Sequence, residues 1–121
     1  MWKALIIIGT ILLVLDLTYL FVFKDFMLPI LYKVQKTELK VNIKSAIACY
    51  ILLVSGLYYF IIKKRAPPKD AFLLGVLING VYETTNYAFF KNWSPLLVVM
   101  DTLWGGILLS TTTIIYNKIT M

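Results

Sequence analysis

An all-α, four-helix transmembrane bundle is the fold class this sequence predicts, and three observations predict it. Of the 121 residues, 60% are hydrophobic, where soluble domains hold about 45 to 50%. Four apolar runs approach the roughly 20 residues that a helix needs to cross a bilayer. The lysines and arginines fall between those runs, where they can anchor at lipid headgroups. The chain is short enough for one domain, residues 1–121. It contains one cysteine, Cys49, and no histidine, so an intramolecular disulfide is excluded and the usual zinc ligand and neutral-pH proton shuttle are missing. In a soluble protein the excess of 12 Lys+Arg over 6 Asp+Glu would suggest nucleic acid, but here the expected partner is the lipid bilayer and no nucleic acid.

The first helix is expected over residues 4–23, between Lys3 and Lys24, with Asp16 as its one charge. It is too long for a cleaved signal peptide and lacks the small-residue site that would follow one. After it, residues 24–44 are too polar to cross and too apolar to be plain linker. Phe26, Met27, Leu28, Ile30, Leu31 and Tyr32 lie between Lys24 and Lys33, with further lysines after them, which predicts a short interfacial amphipathic segment over about 25–37. The second helix, 45–62, ends at Lys63-Lys64-Arg65 and carries no charge. The third, 71–90, follows Pro67-Pro68 and contains Asn79, Glu83 and Asn86. The fourth, 95–116, starts at Pro95 with Ser94 as N-cap and has Asp101 as its one charge before Lys118.

Four helices place both termini on one side. The Lys/Arg count is six on each face and sets no orientation. The dense Lys63 to Arg65 cluster and the free amino terminus favour termini in the cytoplasm.

A carboxylate inside a bilayer costs at least about 2.5 to 3.5 kcal/mol, so three in so short a chain require an explanation. Asp16 lies eight residues before Lys24, Glu83 eight before Lys91, and Asp101 six after Pro95. All three markers belong to one membrane face, so each acid sits roughly 9 to 12 Å below it. Helical spacing puts Gly75, Asn79, Glu83 and Asn86 on one stripe with Tyr82 beside it, and Asp101, Trp104, Gly105 and Thr112 on another. Small and polar stripes of this kind pack helix against helix. A ligand- or proton-binding site is therefore expected from Asp16, Glu83, Asp101, Asn86, Asn79, Tyr82 and Trp104, its acids titrating as a coupled set. The second helix lacks such a stripe and reads as structural, Trp93 reads as an interfacial anchor, and Cys49 as inert filler.

The segments Tyr82-Glu83-Thr84-Thr85-Asn86, Trp93 and Asp101-Thr102-Leu103-Trp104-Gly105 make the chain similar to a family of small four-helix membrane proteins. That family occurs in bacteria and some large DNA viruses and is known only as a domain of unknown function. Asp16 and Tyr19 fit its first helix. Where Glu83 stands, family members more usually show Asp, which keeps the acid. The resemblance implies a membrane protein and no activity; lysine- and isoleucine-rich composition is compatible with a viral member.

Three functions compete. The first is a protein that binds or moves a proton, a cation or a small amphipathic ligand, as a transporter or channel accessory would. The second is a structural component of a cellular or virion membrane whose acids only fix helix packing. The third is an enzyme using the acids and Asn86 around a divalent metal; it ranks last because no metal motif accompanies them. No catalytic residue and no cofactor is expected, and a homo-oligomer is compatible with the reading.

Overall fold

The computed structural model describes residues 2–35, 43–90 and 93–120, with the side chains of residues 30–35 outside the description. Four helices account for nearly all of it: α1 (Trp2–Gln35), α2 (Ile43–Leu57, continued as a π-turn over Tyr58–Ile62), α3 (Pro68–Phe89) and α4 (Pro95–Thr120). No strand occurs among the described residues. Three stretches are long and apolar enough to cross a membrane by themselves: Trp2–Pro29, Ile43–Ile62 and Pro95–Thr120. α3 has the length, 22 residues or about 33 Å, but its apolar content is diluted by Asn79, Glu83 and Asn86. Of these, Glu83 and Asn86 are buried and Asn79 is half-buried, inside the bundle.

The first helix departs from expectation. The sequence reading ends it at residue 23 and begins a separate interfacial segment at 25; the backbone instead runs unbroken to Gln35, with Pro29 inside. Proline at that position removes one backbone donor and crowds the carbonyl four residues earlier. Packing outweighs that cost: Met27 is buried against Tyr19, Trp93 and Leu97, and Phe26 packs on the same cluster. At 34 residues, or about 51 Å, α1 exceeds a hydrocarbon core about 30 Å thick. The remainder of the expected segment, residues 36 and 37, lies outside the described residues.

The other boundaries follow local chemistry. Pro68 takes the first position of α3, three residues before the expected start, where a missing backbone N–H is harmless. Ser94 caps α4 as expected, its Oγ accepting from the Leu97 N–H at 3.3 Å. α2 closes with wide-turn bonding, the Lys63 N–H donating to the Tyr58 carbonyl at 2.8 Å. Beyond it the Ala66 N–H donates to Ile61 at 2.9 Å and the Arg65 N–H to Ile62 at 3.1 Å, with Arg65 at φ 54°. This is a Schellman closure whose left-handed position, usually glycine, holds an arginine.

α3 and α4 meet backbone to backbone. A Cβ on Gly75 would fall inside the Gly105 carbonyl, and one on Gly105 would lie 2.5 Å from the Gly75 carbonyl oxygen. Ile8, Leu12, Leu57, Ile61, Ala71, Leu108 and Leu109 form one apolar cluster; Tyr19, Met27, Trp93 and Leu97 form the other. Between the two clusters along α1 and α4 lies a polar layer containing Asp16 and Asp101, to which Asn79 of α3 is bonded.

Candidate functional site

Asp16 on α1 accepts from the Trp104 indole N–H at 3.0 Å and from the Tyr50 hydroxyl. Asp101 on α4 accepts from the Tyr19 hydroxyl at 2.6 Å, while its backbone carbonyl accepts from the Asn79 amide at 2.9 Å. Tyr19 and Trp104 stack with centroids 4.4 Å apart and planes within 9°, so the donors to Asp101 and Asp16 form one aromatic plate. Glu83 on α3 accepts from the Trp93 indole N–H at 2.7 Å. Each of these bonds to a carboxyl comes from a neutral donor, which holds the carboxyl in place without cancelling its charge.

Glu83 is 1% exposed and Asn86 8% exposed, and each retains one buried polar atom without a partner among the described residues: Glu83 Oε1 and Asn86 Nδ2. The carboxyls of Glu83 and Asp101 are close enough for each to feel the other's charge. Asp16, Glu83 and Asp101 all line one cavity of about 550 Å³, with Tyr19, Asn79 and Trp104 also in its wall. Tyr82 lines it too, although 61% of that side chain is exposed. Asn86, buried three residues beyond Glu83 on α3, is the one expected site residue outside the cavity lining. Among the described residues, no three His, Cys, Asp or Glu side chains gather in a metal-binding group.

Sequence reasoning missed three contributors. Trp93 is 8% exposed and bonded to Glu83 rather than lying at the lipid interface. After α3 ends, the Phe90 N–H donates to Asn86 at 2.7 Å and the Trp93 N–H to Phe90 at 3.3 Å, which holds Trp93 at the end of α3, where its indole reaches Glu83. A buried tryptophan needs an acceptor, and Glu83 ten residues upstream was the available signal. Tyr50 bonds Asp16 from α2, and Ser45 and Cys49 line the cavity from the same helix. α2 is therefore part of the wall, although its apolar sequence gave no sign of that. Tyr19 entered the sequence reading only through the family resemblance, and it bonds Asp101.

Together these features define a small multi-pass helical membrane protein with a polar, acid-lined layer inside its bundle. Residues 1–117 match the family described as "Predicted membrane protein (DUF2177)". The chain belongs to that family. No curated protein and no solved structure matches it.

Proposed function

We propose that this protein binds a proton, or a small cation in its place, at the paired carboxyls of Glu83 and Asp101, reached through the cavity between its helices. The carrying observation is Glu83 Oε1, fully buried and without a partner among the described residues. A packing-only role accounts for Asp16, which has two donors, and for Asp101, which anchors Tyr19 and Asn79. It does not account for a buried oxygen left without a donor, which costs about 1 to 3 kcal/mol. Two interacting carboxyls in a low-dielectric layer repel when both are charged, and one positive charge between them removes that repulsion. Asn86 Nδ2 needs an acceptor as Glu83 Oε1 needs a donor, and water offers both. Water in this layer would connect the acids to the cavity, as transport of a proton or cation requires.

The test is infrared titration of the carboxyl band in reconstituted protein, comparing wild type with Glu83→Gln and Asp101→Asn, with sodium, potassium or neither present. The expected result is that removing either acid shifts the titration of the other, and that wild type takes up one proton or one cation in this region. Two carboxyl titrations that ignore each other would refute the proposal and leave the acids as packing elements.

A further inference from the structure

At the opposite end of the bundle from Trp93, the residues flanking the α2–α3 turn and both ends of the described chain enclose a second cavity, of about 670 Å³. Its wall includes Ala4 near the N-terminus, Thr120 near the C-terminus, and Lys63 and Arg65 from the turn. Among the described residues, two cations line it and no acid does. Tyr58, Tyr116 and Asn117 add donors, while Ile61 and Ile62 give it an apolar side. A neighbouring cavity of about 490 Å³ shares Ala4, Tyr116 and Thr120 and brings in Lys3.

The three cations of the turn divide their work. Lys64 lies over the Tyr59 and Phe60 rings at 4.9 and 5.6 Å, on side chains that are exposed and face away from the core. Lys63 is more loosely placed over Tyr59, at 5.7 Å. The Arg65 guanidinium has no hydrogen-bond or ion-pair partner among the described residues, while its backbone is held in the left-handed region at φ 54° by the Schellman bonds. Left-handed backbone costs a non-glycine residue about 1 to 2 kcal/mol, and the turn would close more favourably with glycine.

We propose that this cavity binds the phosphate of an anionic phospholipid, with Arg65 and Lys63 as its ligands, Tyr58 and Tyr116 as flanking hydroxyl donors, and the acyl chains running along the lipid-facing surface of the bundle. Charge complementarity carries the choice: guanidinium matches phosphate oxygens in a two-pronged geometry. The location also fits, because a cation cluster directly beyond a membrane-spanning helix stands at headgroup level. A free phosphate offers the same oxygens without acyl chains, so the two sources separate experimentally.

The test is native mass spectrometry of the full chain released from vesicles of phosphatidylcholine with and without phosphatidylglycerol. Arg65→Gly suits the backbone at its own position, so loss of binding is not loss of fold. Wild type should retain phosphatidylglycerol over phosphatidylcholine. Arg65→Gly and Lys63→Gln should each lower that preference about tenfold, equivalent to 1.4 kcal/mol, and Lys64→Gln should leave it in place. Equal retention by wild type and Arg65→Gly would overturn the proposal. So would displacement of the lipid by inorganic phosphate as readily as by phosphatidylglycerol, which would make the site one for free phosphate.

Discussion

Replacing Gly105 with alanine tests the α3–α4 seam that brings Asn79 to Asp101. The added Cβ would lie 2.5 Å from the Gly75 carbonyl oxygen and 2.6 Å from the Asn79 side chain. Asn79 can rotate, but the carbonyl belongs to a helix backbone and cannot. Restoring ordinary contact at 3.4 Å requires the helices to part by about 0.9 Å. A shift of that size stretches the 2.9 Å bond from Asn79 to the Asp101 carbonyl to about 3.8 Å, beyond hydrogen-bonding range. Overpacking costs about 1 to 3 kcal/mol and the lost bond about 0.5 to 1.5 kcal/mol, so Gly105→Ala should destabilise by about 2 to 4 kcal/mol. The measurement is equilibrium unfolding in mixed micelles of mild detergent and dodecyl sulfate, followed by near-ultraviolet circular dichroism. Gly56→Ala is the matched control, because nothing lies within 4 Å of a Cβ there; it should be neutral or stabilising by up to about 1 kcal/mol. A Gly105→Ala variant within about 0.5 kcal/mol of wild type would show that the helices are not in backbone contact.

Trp93→Phe removes the donor to Glu83 Oε2 and leaves both carboxyl oxygens buried without one, so it should cost about 1 to 3 kcal/mol in the same unfolding measurement; Glu83→Gln, which keeps an acceptor for the indole, should cost less. Met27→Ala should cost about 2 kcal/mol or more if α1 packs past Lys24 as described, whereas a loss near zero would restore a separate segment lying on lipid. Tyr50→Phe and Trp104→Phe each remove one donor to Asp16, and their double-mutant cycle should give a coupling of about 0.5 kcal/mol or more; strict additivity would separate the two contacts. Cys49 lines the central cavity, so a small water-soluble methanethiosulfonate should label it in membranes, and failure to react while a membrane-permeant reagent succeeds would mean that the cavity is dry.

Much of this architecture was legible because the bilayer constrains sequence strongly. A polar residue in a spanning helix must turn inward, so Glu83 and Asn86 gave away the buried face of α3 and Asp101 that of α4. The same logic failed where the decisive contact was tertiary. Lys24 and Asp25 look like the end of a helix, yet Met27 finds a pocket formed by Trp93 and Leu97, and no local pattern in residues 24–35 announces that pocket. Tyr50 sits in a helix whose neighbours are uniformly apolar, so its hydroxyl gave no stripe to read. Trp93 satisfied the rule for interfacial aromatics equally well, and only its bond to Glu83 separates the two outcomes.

The pairing of indoles with acids has an optical consequence. The chain has three tryptophans, and two of them donate to different carboxyls of the polar layer, Trp93 to Glu83 and Trp104 to Asp16. The third, Trp2, is 73% exposed at the start of α1. A Trp2→Phe variant would therefore leave an intrinsic fluorophore at each of two acids, with no label added. A change of charge at Glu83 would alter the field on one indole and a change at Asp16 the field on the other, so the layer would report its own state in emitted light.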